Sequence, residues 1–201
     1  DLHSFPTRRS SDLHIGISTG TAFVVSADGS LLTNEHIVRG CITVNLPAIG
    51  VTADVIKIDS TNDLALLRSK QLGKNAVPVA NSDSLTLGSD IVVFGYPMTG
   101  ALSSSGNITS GVVSGLTGMA DDSRFFQLTA PIQPGNSGGP VLNQYGEAVG
   151  IASATINQRF AVEATGNLAQ NVNFAIGPSM INQFLGVNYM EIGRASCRER
   201  V

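Results

Sequence analysis

Charge of either sign is scarce in this chain: Lys and Arg number 12 and Asp and Glu 15 among 201 residues, a charged share of 13%. Charge this sparse and this balanced builds no broad basic face for a nucleic acid, and no cluster of cations stands clear of the two ends. Long apolar runs are missing too, so no segment approaches the roughly 20 unbroken apolar residues of a membrane-spanning helix. The 22 glycines do not recur at every third position, which excludes a collagen-like chain. Disorder is excluded from the other side, because 42% of the residues are hydrophobic and a chain of this length can bury a core.

The two ends stand apart from the rest. Residues 3–13 (HSFPTRRSSDL) and 191–201 (EIGRASCRERV) carry five of the cations, Arg8, Arg9, Arg194, Arg198 and Arg200, and show no core periodicity, cap or turn logic. They resemble translated sequencing-adapter DNA, with Asp1 and Leu2 as the tail of another copy. Residues 1–13 and 191–201 are therefore set aside from fold reasoning as artefactual tails, and the gene product is expected to be longer. Of the two cysteines, Cys197 goes with the tail. Cys41 then has no internal disulfide partner, and it reads as a small residue at the start of a strand rather than a nucleophile.

What remains is a series of short apolar segments with turn punctuation. Residues 21–26 (TAFVVS) and 31–34 (LLTN) flank 27–30 (ADGS), where Asp-Gly supplies the positive φ angles of a tight hairpin. Further strands are expected at 42–46, 51–58, 64–68, 90–96, 108–116, 125–129, 139–143, 147–156 and 171–176, with 70–84 as a linker. Only the end reads as helix: Pro178 stands where a first turn tolerates proline, and Met180, Ile181, Phe184 and Leu185 follow at helical spacing before Gly186. This pattern predicts an all-β barrel or sandwich architecture with a short C-terminal helix. Its two strand-rich halves, 14–81 and 82–190, can each close a small barrel.

The densest chemical signal is Pro134, Gly135, Asn136, Ser137, Gly138, Gly139 and Pro140, a loop with little side-chain bulk around one hydroxyl. Small residues let a substrate backbone approach, and glycine permits the angles that turn successive N–H groups toward one point, as an oxyanion hole requires. A serine hydroxyl needs a base to take its proton, and His suits that task. His36, in LTNEHIV at the end of an apolar strand, is the one histidine besides His14 between the set-aside tails. A third group must fix the imidazole tautomer, and Asp63, opening the apolar run DLALL, is placed to do so. Read singly, each has an ordinary alternative: a glycine-rich turn, a satisfied histidine, a strand-capping Asp. No group of His, Cys and carboxylates has metal-ligand spacing, so neither metal nor cofactor is expected.

Taken together, Gly20-Thr21 before a strand, Thr33-Asn34-Glu35-His36, Asn62-Asp63-Leu64-Ala65-Leu66 and Pro134 to Pro140 run in the order His, Asp, Ser. This set resembles the chymotrypsin-fold serine peptidases, most of all the bacterial trypsin-like domains of the Deg/HtrA type. The likeness extends over nearly all of 14–190, through Val93-Phe94-Gly95-Tyr96-Pro97, Thr109 to Ser114 and Asn173-Phe174-Ala175-Ile176. It implies two six-stranded Greek-key β-barrels, the first (14–81) carrying His36 and Asp63 and the second (82–190) carrying Ser137.

The resemblance also implies roles. Ser137 would attack the scissile carbonyl, His36 would serve as base and then acid, and Asp63 would orient His36. The loop of Gly135, Asn136 and Ser137 would form the oxyanion hole through the amides of Gly135 and Ser137. Pro131, Ile132, Ser153, Ala154 and Ala175 would border the substrate pocket, with Ser153 also supporting Asp63. Asn136 stands where digestive relatives carry an Asp that pairs with a new N-terminus, so activation by N-terminal cleavage is not expected. Pro131 stands where a trypsin-like specificity Asp would be, so the pocket is expected to take small or medium aliphatic side chains. The expected partners are polypeptide substrates, and a homo-oligomer would form through segments outside this stretch, as would any PDZ domain. A periplasmic or secreted setting is what the likeness favours. The rival readings are a non-cleaving peptide-binding or chaperone-like module on the same fold, and a latent protease that needs missing domains.

Overall fold

A computed structural model of the chain describes residues 18–73, 75–96, 105–154 and 172–186. The two set-aside tails, His14, Pro97, the last two residues of the strand expected at 147–156 and the first of that expected at 171–176 lie outside these. The described residues form eleven strands: β1 (Phe23–Val24), β2 (Ser30–Thr33), β3 (Thr43–Leu46), β4 (Val51–Asp59), β5 (Leu64–Arg68), β6 (Asp90–Gly95), β7 (Asn107–Gly115), β8 (Phe125–Leu128), β9 (Pro140–Leu142), β10 (Ala148–Ala152) and β11 (Asn173–Ile176). The terminal helix, α2 (Pro178–Leu185), lies where the apolar spacing puts it, with Gly186 at its C-cap. Not expected were two 3-10 turns, Ser82–Ser84 and Met119–Asp121, and a single helical turn, α1 (Glu35–Val38), which follows β2 directly, so His36 sits on a helix rather than in an opening loop.

The first five strands make one antiparallel sheet in the order β1-β2-β5-β4-β3. Its two inner strands explain the unbroken apolar runs. Along β5, Leu64 and Leu66 face one cluster while Ala65 and Leu67 face another; along β2, Leu32 and Leu31 divide in the same way. Successive side chains of a strand point to opposite faces, so a strand covered on both sides loses its polar alternation.

The remaining six strands close a barrel in the order β10-β11-β8-β7-β6-β9. Ile91, Val93, Val113, Phe126, Leu128, Val141 and Val149 fill its interior, all at most 3% exposed. The expectation of two six-stranded barrels thus holds for the second half. The first half is a curled five-stranded sheet whose ends, β1 and β3, do not pair among the described residues. β1 is shorter than expected because the chain leaves the sheet on both sides of it: Thr21 turns to bond Ser137 O, and Val25 bonds Ser30 O in the hairpin turn.

The two halves meet across one apolar cluster, with Phe23, Leu32, Leu64 and Leu66 on one side and Ala148, Ile151, Ile176, Ile181 and Phe184 on the other. Burying one large apolar side chain contributes about 1.5–3 kcal/mol, so this seam holds the sheet and the barrel in a fixed relation. The stretch read as a linker crosses it, bonding Val24 O through the Val77 amide and bridging Ala148 through Val79. No helix among the described residues is long and apolar enough to cross a membrane.

Candidate active site

His36 and Asp63 come from opposite ends of the paired strands β2 and β5. Because Thr33 pairs with Ala65, the residues just after β2 and just before β5 emerge together at one end of the sheet. Asp63 takes a left-handed backbone conformation (φ 55°), which Asp tolerates better than most residues. In that conformation its carbonyl accepts from the Asn34 side chain (3.0 Å) and the Glu35 amide (3.2 Å). Its carboxylate accepts from the His36 amide (2.9 Å) and meets His36 Nδ1 at 2.9 and 2.8 Å. Asn34 stands at the N-cap of α1, yet its side chain makes no cap bond. It is spent on Asp63 instead.

The loop before Asp63 is held from both halves. Asp59 Oδ1 accepts from the Thr61 and Asn62 amides (3.0 Å each), and Asn62 Nδ2 donates to Asp59 Oδ2 (2.7 Å). From the barrel, Arg124 donates to Thr61 O (3.0 Å) while paired with Asp122. The hydrogen bond from Arg124 holds the Asp122 carboxyl below its ordinary range despite partial burial. Ser153 Oγ reaches Asp63 Oδ2 only at 3.5 Å, the outer limit of a hydrogen bond.

Ser137 lies on the loop joining β8 to β9. The Asn136 amide donates to Gln133 O (2.9 Å) and Gly135 has φ 98°, a turn with proline second and a positive φ third, which is the type II pattern. Gly138 also has positive φ (84°), and a Cβ there would lie 2.1 Å from Thr21 O and 2.3 Å from Thr33 Oγ1. Only glycine lets this loop approach the strand that leads to His36. The amides of Asn136, Gly138 and Gly139 donate to Gln133 O, Ala152 O and Asn136 O. Those of Gly135 and Ser137 have no acceptor among the described residues, so of the three residues expected at the oxyanion hole Asn136 is the one whose N–H is engaged. Ser137 Oγ accepts from the Ala154 amide at 3.0 Å. A hydroxyl accepts and donates together, which leaves its O–H for a base.

Of the expected pocket residues, Ser153 and Ala175 have no exposed surface and Ala154 has 6%. Ala175 pairs with Ala152, and Ile132 packs against the cluster that holds both. Pro131 is exposed. Asn136 is buried, its side chain stands against Gly95, and its Oδ1 has no hydrogen-bond partner among the described residues. Sequence reasoning assigned no part to Thr21, Asn34 or Glu35. The sequence shows at Thr21 only a polar residue ahead of an apolar strand, which names no partner.

The trypsin-like peptidase domain family model matches residues 20–151. The uncharacterized protein y4bJ of Sinorhizobium fredii is 39% identical over 171 residues, spanning 84% of this chain and 27% of that protein. The putative serine protease HhoB of Synechocystis is 31% identical, over 87% of this chain and 44% of that protein. A probable periplasmic serine endoprotease, DegP-like, of Chlamydia pneumoniae is 36% identical over 69% of this chain and 29% of its own length. The chain thus spans less than half of these relatives. Among solved structures, the serine endoprotease of Yersinia pestis superposes with a TM-score of 0.63 at 23% identity, covering 87% of this chain and 58% of that one. The HtrA-type protease AlgW with a decapeptide gives 0.62 at 29% identity, covering 80% and 48%. With a family model matching more than half of its length and the fold of those neighbours, this chain belongs to the trypsin-like peptidase domain family.

Proposed function

We propose that the chain is the catalytic part of a serine endopeptidase that cleaves exposed or unfolded polypeptides through Ser137, His36 and Asp63. The observation that carries this reading is the pairing of His36 with Asp63 at 2.8 Å beside a serine loop with two unspent amides. Asp63 accepts at Nδ1, so the neutral ring keeps its lone pair at Nε2, where a base takes the Ser137 proton. Ser137 Oγ then adds to the scissile carbonyl, and the developing oxyanion is met by the Gly135 and Ser137 amides, each worth about 3–4 kcal/mol of barrier where such donors have been removed elsewhere. His36 returns the proton to the leaving amine. Water, activated by the same ring, hydrolyses the acyl-enzyme and frees Ser137.

The pocket beside Ser137 accepts small or medium aliphatic side chains in this reading, since Ile132 and Ala154 bring no charge to a Lys or Arg. Residues 14–81 supply His36 and Asp63, and residues 82–190 supply Ser137. The names of the DegP-like relatives support a periplasmic setting. Assembly into a homo-oligomer would use segments outside this stretch. A second reading, a latent form, is favoured by the contact of the Ala154 amide with Ser137 Oγ, which a bound substrate backbone would have to rearrange. The test is hydrolysis of an unfolded protein such as reduced casein: the wild-type chain should cleave it and Ser137→Ala should not. Equal cleavage by both would remove Ser137 from the reaction.

A further inference from the structure

The carbonyls that border the Gly135 and Ser137 amides are both held from the opposite half of the molecule by one residue. The Thr21 amide donates to Ser137 O at 2.8 Å, and the Thr21 hydroxyl donates to Gly135 O at 2.7 Å. The same hydroxyl oxygen accepts from the Tyr96 amide at 3.0 Å, and Thr21 O accepts from the Thr33 hydroxyl at 2.7 Å. Thr21 is 3% exposed, so its three polar groups are all matched in a buried place where an unmatched one would be costly.

Peptide planes are rigid, so a bond to a carbonyl orients the amide in the same plane. The Gly135 carbonyl shares its plane with the Asn136 N–H, which is tied to Gln133 O. The Ser137 carbonyl shares its plane with the Gly138 N–H, which is tied to Ala152 O. Thr21 therefore supplies one of the two ties on each plane. The Ser137 amide lies between these planes, in a plane whose Asn136 carbonyl is tied by the Gly139 amide, and the Gly135 amide is separated from the first by the φ and ψ of Gly135. Through Thr33, the same residue joins this loop to the end of β2, directly before Asn34 and His36.

We propose that Thr21 is the positioning residue of the oxyanion loop: its hydroxyl holds the Gly135 carbonyl away from the substrate so that the Gly135 and Ser137 amides converge on the oxyanion. This deepens the peptidase reading and rests on it. Thr21 touches no substrate atom in this account, so its effect belongs to the transition state and not to substrate binding.

The experiment compares the wild-type chain with Thr21→Val, which keeps the shape and removes the hydroxyl, and Thr21→Ser, which keeps the hydroxyl. Rates on an aliphatic-P1 peptide are expressed per Ser137 labelled by a fluorophosphonate, and inhibition by a peptide boronate is measured beside them. Thr21→Val is expected to lose about 10- to 100-fold in kcat with KM within about twofold, as a slightly misaimed group does. Boronate affinity should fall in parallel, and Thr21→Ser should stay within about threefold of wild type. Wild-type kcat in Thr21→Val, an equal loss in Thr21→Ser, or a change in KM alone would overturn the proposal. If Thr21→Val does not fold, Thr21→Ala replaces it, and a kcat matching that of Thr21→Ser overturns the proposal equally. A wild-type chain that is neither active nor labelled overturns the peptidase reading first, and the role of Thr21 falls with it.

Discussion

Asp63 offers one carboxylate to both the ring and the backbone of His36, with Nδ1 at 2.9 and 2.8 Å from its two oxygens and the amide nitrogen at 2.9 Å from Oδ1. A carboxylate only accepts, so Nδ1 carries the hydrogen. The pairing is built before any substrate arrives, since residues 34, 35 and 36 all bond Asp63 and hold it in its left-handed conformation.

Asp63→Asn tests this relation. Asparagine tolerates the left-handed conformation and can accept the His36 amide, but then turns its NH2 toward Nδ1 and selects the tautomer with Nε2 protonated. A loss in kcat of about 10⁴-fold is expected with stability changed by less than about 1 kcal/mol, read by peptide hydrolysis and thermal melts. A loss below about tenfold in a folded variant would mean that Asp63 does not set the tautomer.

Asn136 is 2% exposed and its Oδ1 has no partner among the described residues, so a carboxylate there would be buried with no counter-charge from them. Asn136→Asp is expected to destabilise by about 3 kcal/mol or more at neutral pH. The penalty should shrink on acidification, because the neutral acid is the form burial favours. Urea melts at neutral and acid pH check this, and a penalty that does not change with pH would count against it.

Glu35 is buried beside His36 and takes Arg39 at 3.0 Å through Nε and 2.7 Å through Nη2. The hydrogen bond from Arg39 holds its carboxyl below the ordinary range, against burial, which pushes it up. A lowered carboxyl contributes stability that is complete above its unfolded pKa and is lost as pH falls through the folded value. Wild type should therefore lose more stability than Glu35→Gln between about pH 6 and about pH 3, a window that opens above ordinary glutamate titration and extends below it. Parallel losses in urea melts would show that the pair carries no such linkage.

A peptide panel varied at P1 addresses the pocket. Val, Ala and Leu should be cleaved with higher kcat/KM than Arg or Lys, because burying a cation beside Ile132 and Ala154 has no compensating charge. Fastest cleavage after Arg or Lys would contradict that view.

Much of this architecture was legible because burial writes itself into hydrophobicity. β5 has the bounds its apolar run predicts, and α2 begins at Pro178 as its spacing does. α1 was missed because four residues make one turn, too few to show a period, and its N-cap side chain bonds Asp63 rather than its own helix. The strand expected to open at residue 21 begins only at Phe23, because Thr21 bonds a loop more than a hundred residues away. Local pattern carries no trace of such a partner. The same limit applies to the site: a Gly-rich loop, a histidine and an Asp announce themselves by type and order, and the resemblance names the Gly135 and Ser137 amides, whereas the bonds from Thr21 that hold their loop come from the other half of the fold.

The most direct measurement of the central claim is intact-mass analysis of the chain after treatment with a fluorophosphonate, beside Ser137→Ala, with circular dichroism to show that both are folded. One adduct on the wild-type chain and none on Ser137→Ala is the predicted result, since only an activated hydroxyl facing an assembled oxyanion hole reacts. A folded wild-type chain that takes no adduct, or an adduct that persists in Ser137→Ala, would contradict the assignment of Ser137 as the nucleophile.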